Sequence, residues 1–200
     1  MNIYEITARD YKTRKPITVK WNNNIIVDVK QVDNEAVNDI WIAPSLFDLQ
    51  VNGFAEIDFQ DISINTESLT KAVNNLQQSC CSKFLLTLIT DRWDRLIQKL
   101  KRLKELRDSN ETLKNSIVGW HIEGPFLSEK IGFYGTHNPS LMINPAPDYA
   151  HQLRDILSND LILLTIAPER KGAIEFIKTA TELGIIVSLG HTDAPYETLK

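Results

Sequence analysis

Two side chains that can bind a divalent cation stand directly after short apolar runs of the sequence. Glu123 closes the run Ser116–Ile122, and His191 follows the run Ile185–Leu189 after one glycine. A buried carboxylate without a cationic partner costs several kcal/mol, so Glu123 needs either a bound cation or a salt bridge. Imidazole is a common ligand of divalent metals, and His191 is therefore a candidate metal ligand.

Two amides alternate at the end of another apolar run, Ile42–Val51. Gln50 and Asn52 are two residues apart, which is the side-chain period of a β-strand, so the spacing puts both on one face. The spacing leaves two interpretations open: solvated polar groups at a strand end, or amides that point into a binding site. We treat both as candidate substrate-binding residues.

A long segment, Gly124 to Pro147, carries a further histidine, His137. Loops of this length without their own secondary structure are usually lids or binding loops, so His137 could donate a hydrogen bond to a substrate oxygen. An isolated loop histidine is also common at a protein surface. Three other candidates are interpreted as structural, namely His121 as a satisfied core histidine, His151 as an exposed helix residue and Asp193 as a helix cap.

These residues depend on elements that alternate between strand and helix. Helices separate the apolar runs, and Thr90 or Asp91 is placed to cap the second helix. Such alternation predicts a parallel sheet in an α/β protein. The predicted strands are Ile42–Val51, Cys81–Ile89, Ser116–Ile122, Leu161–Ala167 and Ile185–Leu189, and the predicted helices are Thr66–Gln78, Asp91–Arg107, Asp148–Leu157 and Gly172–Leu183.

Two architectures fit a parallel sheet, a doubly wound open sheet and a (β/α)₈ barrel. The glycine-rich nucleotide-binding fingerprints of open sheets are absent, and metal-type and amide side chains follow the strands instead. We therefore expect a (β/α)₈ TIM barrel of which residues 44–200 supply about five βα units. A barrel needs eight strands, so we expect a protein roughly twice this length. Residues 1–43 alternate short β-like runs with turns and predict a small β domain.

Composition excludes several classes of protein. The 200 residues are 42% hydrophobic and 24% charged, with a net charge of −4, which gives no basic field for a nucleic-acid partner. No signal peptide or apolar membrane span is present, and two adjacent cysteines suggest a cytoplasmic protein. The basic stretch Lys99–Arg107 is interpreted as the solvated face of an amphipathic helix.

Four stretches resemble one known family, the N-acetylglucosamine-6-phosphate deacetylases of the amidohydrolase superfamily of metal-dependent hydrolases. They occur in the family's order and span most of the predicted barrel portion. The N-terminal β pattern is similar to part of the family's small β-sandwich domain. The matching stretches are APSLFDLQVNGFAEIDF (43–59), GWHIEGPFLSEK with GTHNP after it (119–139), TIAPE (165–169) and GIIVSLGHTDA (184–194).

The resemblance implies one divalent metal ion, held by Glu123, His191 and a second histidine beyond residue 200. Zinc is the expected ion, with iron or another divalent ion as alternatives. Many superfamily members bind a second metal through His-x-His on the first strand. Here the neutral amides Gln50 and Asn52 occupy those positions, and amides are weaker ligands than imidazole.

The resemblance also implies a reaction, the hydrolysis of N-acetylglucosamine 6-phosphate to glucosamine 6-phosphate and acetate. His137 matches the loop histidine that binds the substrate carbonyl, and the general base would be an aspartate beyond residue 200. The full-length protein is expected to be a homodimer, and residues 1–200 alone are expected to be inactive. The alternatives are a related amidohydrolase acting on another N-acyl substrate and a non-catalytic fragment or binding barrel.

Overall fold

A computed structural model describes residues 2–33, 37 and 39–199. The chain forms two compact units, one within residues 1–45 and one within residues 46–200. The first unit contains a four-stranded sheet in the order β3-β2-β1-β4, in which β1 pairs antiparallel with β2 and β2 with β3. Its strands are β1 (Tyr4–Asp10), β2 (Pro16–Asn22), β3 (Ile25–Gln31) and β4 (Trp41–Ile42).

The second unit is built on a five-stranded parallel sheet with the order β11-β10-β9-β8-β5. Each strand therefore pairs with the next sheet strand along the chain, and the order never reverses. A two-stranded hairpin, β6 with β7, follows the first strand. The strands are β5 (Leu46–Val51), β6 (Gly53–Phe54), β7 (Ile57–Asp58), β8 (Cys81–Ile89), β9 (Ile117–Glu123), β10 (Leu161–Ile166) and β11 (Ile186–Leu189).

Helices connect the strands of this sheet, and their apolar faces form its core. The buried side chains of α1 recur at helical spacing, at Leu69, Ala72, Val73 and Leu76, and Asn65 caps the helix by accepting from the Ser68 N–H at 2.9 Å. The helices are α1 (Thr66–Gln78), α2 (Trp93–Asp108), α3 (Glu111–Ser116), α4 (Pro147–Leu157) and α5 (Ala173–Glu182).

The central strands are buried on both faces, as is usual for a parallel sheet. In β8 the consecutive residues from Phe84 to Leu88 are all buried, and in β9 the five residues from Gly119 to Glu123 are buried. Trp120 is among the largest fully buried side chains, and its indole N–H donates to Asp160 at 2.9 Å. The candidate residue Glu123 thus ends a strand that is inside the protein.

The five predicted strands are confirmed, with one change at the start. The predicted run Ile42–Val51 divides, because Ile42 pairs with β1 in the first unit and β5 begins at Leu46. Pro44 lies between them and has no N–H with which to continue a ladder.

The predicted cap of the second helix is wrong. The helix begins at Trp93 after Arg92, which makes no side-chain cap. Asp91 instead accepts from the Arg92 N–H and the Lys99 ammonium, both at 2.7 Å.

The interpretation of Lys99–Arg107 as a solvated face is also wrong for two of its cations. Lys99 and Arg107 are buried, with exposed fractions of 9% and 6%. The Arg107 guanidinium lies 2.8 Å from Asp160 and packs over the Trp120 ring at 5.1 Å. Both cations face acids supplied by other segments, which helical periodicity within α2 does not reveal.

Candidate functional site

The carboxyl end of β9 carries Glu123 between two neighbouring strands. In the register of the sheet, Glu123 stands opposite Ile89 of β8 and Thr165 of β10. Gly124 then turns the chain with φ of 98°, and a Cβ at this position would lie 2.0 Å from the Thr90 hydroxyl oxygen. Only glycine allows this close approach, so the sequence Glu-Gly fixes where the carboxylate emerges.

Glu123, His137 and His191 form a cluster in which one ligand atom of each lies within 4.8 Å of the others. The His191 Nε2 is 3.3 Å from Glu123 Oε1, and the His137 Nε2 is 3.9 Å from Glu123 Oε2. The two imidazole rings meet edge to face, with centroids 4.6 Å apart. Strand ends and the long loop therefore bring three predicted site residues together.

The orientation of His191 is set by the backbone and by the long loop. Its φ of 50° lies in the left-handed region, which non-glycine residues rarely adopt. Its Nδ1 lies 3.0 Å from the Phe133 carbonyl, so this nitrogen carries the proton and donates it. The lone pair of a neutral His191 is therefore on Nε2, which faces Glu123.

His137 is buried although it belongs to a loop. Its Nδ1 lies 2.8 Å from the Thr90 hydroxyl, and its Nε2 faces the carboxylate of Glu123. Burial lowers the pKa of His137, and the nearby Glu123 charge opposes this only in part. The ring is thus held neutral, with one nitrogen anchored to Thr90 and the other directed into the cluster.

The two amides have different environments. The Gln50 Nε2 donates to Glu123 Oε2 at 2.8 Å, so this side chain belongs to the cluster. Asn52 follows β5 and is exposed. Its backbone carbonyl accepts from the Phe59 N–H at 3.1 Å. The structure therefore unites Gln50 with Glu123 and places Asn52 outside the hydrogen-bonded cluster of the described residues.

The histidines interpreted as structural lie outside the cluster. His151 is exposed on α4, as predicted. His121 is buried as predicted, and its Nε2 lies 2.8 Å from the Thr165 hydroxyl; the prediction that it is satisfied is wrong, because its Nδ1 has no hydrogen-bond partner among the described residues. Burial lowers the pKa of His121, which keeps the ring neutral.

The prediction that Asp193 caps a helix is wrong. The short 3₁₀ turn Tyr196–Thr198 begins after Pro195, and the Asp193 carboxylate reaches back to the long loop. It accepts from the Ser128 hydroxyl at 3.0 Å and from the Lys130 ammonium at 2.6 Å. The Lys130 hydrogen bond is the main reason why the pKa of Asp193 falls to about 2.

Sequence reasoning missed the residues that support the cluster. The sequence indicates Thr90 only as a helix cap, whereas in the structure its hydroxyl contacts His137. Glu169 accepts from the Thr192 hydroxyl and from the Asp193 N–H, the latter at 3.1 Å. The one signal for Glu169 in the sequence was its place in the matching stretch TIAPE.

The donor set of the cluster suits a divalent metal. One carboxylate and two imidazole nitrogens, all within 4.8 Å of one another, are ligands that zinc and related ions bind at about 2.0–2.2 Å. Glu123 supplies the only negative charge among the three. The residues present thus fit a divalent metal ion.

Comparison with known proteins gives a consistent family. No protein-family model matches the chain. Over 176 residues, 86% of the chain, it is 32% identical to the N-acetylglucosamine-6-phosphate deacetylase of Haemophilus influenzae. Over 186 residues, 88% of the chain, it is 31% identical to the enzyme of that name from Caenorhabditis elegans. The alignments cover 42% of each of these relatives, so the chain spans less than half their length.

Solved structures agree on the fold. The deacetylase of Pasteurella multocida superposes with a TM-score of 0.79 at 24% identity, covering 98% of this chain and 53% of that one. A mutant Mycobacterium smegmatis deacetylase, solved with N-acetyl-D-glucosamine-6-phosphate, gives 0.82 at 23% identity, covering 99% and 52%. The described residues thus have an α/β amidohydrolase-type fold. In the part of those proteins that it spans, the chain is similar in sequence and in fold to the N-acetylglucosamine-6-phosphate deacetylases.

Proposed function

We propose that the protein containing this chain hydrolyses the N-acetyl group of N-acetylglucosamine 6-phosphate and releases acetate and glucosamine 6-phosphate. The observation that carries the proposal is the cluster of Glu123, His137 and His191, with ligand atoms within 4.8 Å of one another. This cluster occurs in a chain that is 32% identical to a deacetylase of that name. The amide bond of the acetyl group is the bond to be broken.

Glu123 and His191 would hold one divalent ion, and zinc is the ion that we propose. Such an ion would lower the pKa of a bound water and polarise the acetyl carbonyl. Gln50 fixes the carboxylate for this task, because its amide donates to Glu123 Oε2 at 2.8 Å. Neutral amides at Gln50 and Asn52 bind metals weakly, which favours a single ion. We propose that both amides also contact the substrate.

His137 would bind the acetyl carbonyl oxygen as a hydrogen-bond donor. For this role its proton must be on Nε2, and the Thr90 hydroxyl can arrange that by donating to Nδ1 at 2.8 Å. The ring is neutral because burial lowers its pKa. A buried, fixed donor stabilises the negative charge that develops on the oxygen more than water does.

Two further groups are proposed to come from outside residues 1–200: a second histidine ligand and an aspartate that acts as general base and then protonates the leaving amine. The histidines outside the cluster, His121 and His151, do not supply them, since one bonds to Thr165 and the other is exposed. The strand order without reversal supports a (β/α)₈ barrel, of which residues 44–200 would be five units and residues 1–43 part of a β domain.

Compartment and oligomeric state are the last two properties that we propose. The two cysteines are free thiols, which suits the reducing cytoplasm. No helix among the described residues is both long and apolar enough to cross a membrane. We propose a cytoplasmic homodimer that acts on a small amino-sugar phosphate.

The decisive experiment is an assay of the protein at its full encoded length. Acetate and free amine are measured with N-acetylglucosamine 6-phosphate, its C4 epimer, unphosphorylated N-acetylglucosamine and simple N-acetyl amines, after loading with Zn²⁺ or Fe²⁺. We expect metal-dependent release that is fastest with N-acetylglucosamine 6-phosphate. Hydrolysis of only another N-acyl substrate would replace the proposed substrate, and the absence of any hydrolysis with either metal would refute the proposed activity.

A further inference from the structure

The backbone of His191 is held in a conformation that its own side chain does not favour. Its φ of 50° lies in the left-handed region, where residues other than glycine are strained. In this conformation the Nε2 of the ring faces Glu123. Such a conformation persists only where the surroundings determine it. The contacts of the two following residues, Thr192 and Asp193, show what these surroundings are.

Glu169 binds both residues that follow His191. It lies after β10, and its carboxylate accepts from the Thr192 hydroxyl and, at 3.1 Å, from the Asp193 N–H. The Thr192 oxygen in turn accepts from the Ala194 N–H at 2.9 Å. One carboxylate from the neighbouring strand end thus fixes the turn that His191 begins.

Asp193 joins the same turn to the long loop. Its carboxylate accepts from Ser128 and Lys130, and the Ser128 N–H donates to the His191 carbonyl at 2.9 Å. The loop also holds the imidazole itself, through the Phe133 carbonyl 3.0 Å from Nδ1. The backbone on one side of His191 and the ring on the other are therefore attached to one segment, which also carries His137.

We infer that Glu169, Thr192 and Asp193 are positioning residues that hold His191 in the orientation required for metal binding. We call these three residues the carboxylate clamp. Glu169, which follows β10, binds the turn through Thr192, and Asp193 binds the turn to the long loop. Through Asp193, the clamp also holds the loop that carries His137 against the turn that follows His191. This inference rests on the proposed metal centre, and it assigns to the clamp a role in metal affinity and not in bond breaking.

The test compares Thr192→Val, which removes the hydroxyl at nearly constant volume, with Thr192→Ser, which retains it. Glu169→Ala removes the whole carboxylate. Co²⁺ is the probe, in the protein at its full encoded length, because its visible absorption reports ligand geometry and its dissociation constant can be titrated. We expect Thr192→Val and Glu169→Ala to raise the Co²⁺ dissociation constant about 10–100-fold and alter the spectrum, and Thr192→Ser to behave as the wild type.

Asp10→Asn is the matched control. Like Glu169, Asp10 accepts from a threonine hydroxyl and from backbone N–H groups, but its partners lie in one turn of the other unit: the Thr13 hydroxyl at 2.8 Å, the Thr13 N–H at 2.6 Å and the Lys12 N–H at 3.2 Å. It should leave Co²⁺ binding unchanged. Circular dichroism confirms folding, and the Val and Ser variants of Thr192 serve as the deciding pair if Glu169→Ala does not fold.

The outcomes separate this inference from the proposed function. Wild-type protein that binds Co²⁺ in a manner dependent on Glu123, with unchanged affinity and spectrum in folded Thr192→Val, refutes the clamp and leaves the metal centre intact. Wild-type protein that binds no Co²⁺ refutes both. Weakened binding in Thr192→Val that Thr192→Ser does not show supports the clamp.

Discussion

At the scale of single residues, Glu123 is the only acidic side chain in the cluster, and the proposed metal site depends on it more than on any other residue. Glu123→Gln keeps the shape and an oxygen for Gln50 but removes the negative charge that a divalent ion requires. We expect metal content to fall and turnover to drop by at least ~100-fold, the upper range for the loss of a supporting contact. Metal content by mass spectrometry, together with an acetate assay, measures both effects.

The control for that variant is Glu67→Gln, since Glu67 is an exposed acid in the first turn of α1. It should leave metal content and turnover unchanged. If Glu123→Gln retained a full complement of metal, the assignment of Glu123 as a ligand would be wrong.

His137 could act either as a hydrogen-bond donor to the acetyl carbonyl or as a third metal ligand. A substitution would have a different effect in each case. As a donor to the acetyl carbonyl it stabilises charge in the transition state, so His137→Asn should lower kcat about 10²–10³-fold and leave the metal dissociation constant unchanged. As a third ligand it would lower metal affinity. Titration with Zn²⁺ alongside steady-state kinetics distinguishes the two, and a loss of affinity with normal kcat at saturating metal would contradict our proposal.

Much of the cluster could be predicted because parallel strands bring their carboxyl ends to one edge. Glu123 is the last residue of β9 and His191 lies two residues after β11, so the strand assignments place both at the carboxyl edge of the sheet. His137 could not be placed in this way, because the long loop has no repeating pattern that predicts burial. The contacts of Thr90, Phe133 and Glu169 depend on distances between segments far apart in sequence, which residue spacing does not encode.

At the scale of elements, a partly buried ion pair attaches α2 to the loop that precedes it. The Lys99 ammonium lies 2.7 Å from Asp91, and the two side chains are 10% and 14% exposed. Burial is the largest single influence on the pKa of Asp91 and would raise it, but the hydrogen bonds from Lys99 and the Arg92 N–H, together with the charges of Lys99 and Arg95, outweigh burial and lower the pKa below 3.8. The stability that the pair contributes is therefore full above about pH 4 and is lost as the pH falls below that value.

Lys99→Met should lower the free energy of unfolding by ~1–3 kcal/mol at neutral pH, because Asp91 loses its main partner. It should also make the decline of stability below pH 4 less steep, since the pKa of Asp91 then lies nearer its unfolded value. Urea titrations at several pH values measure both quantities. The exposed Lys101, on the same helix, provides the control Lys101→Met, and an equal effect of the two substitutions would contradict the account.

The sequence predicts where helices and strands occur more accurately than it predicts their first and last residues. The boundaries of α1 match the prediction at both ends, and in the structure Asn65 caps the first turn. The start of α2 does not match, since Asp91 binds Lys99 instead of capping the helix. The contact between Asp91 and Lys99 is known only from the tertiary structure, so residue spacing alone still predicts a cap at Asp91.

At the scale of the whole molecule, the parallel sheet ends in two strands that, among the described residues, each pair with a strand on one side only. These edge strands, β5 and β11, expose large apolar side chains: Leu46, Phe47 and Leu49 on one, and Ile186 and Leu189 on the other. Unpaired strands with exposed apolar residues promote association between chains. In a closed barrel further strands would cover both edges.

Residues 1–200 expressed alone should therefore associate with themselves and release no acetate from N-acetylglucosamine 6-phosphate, whereas the protein at its full encoded length should be active. The physical reason is the same for both results, because the strands that would cover β5 and β11 would also carry the second histidine and the general base. Light scattering measures the association, and Ile186→Lys, which adds a charge to an exposed edge, should reduce it. A monomeric and active 200-residue chain would show that the described cluster suffices for catalysis and would remove the need for a closed barrel.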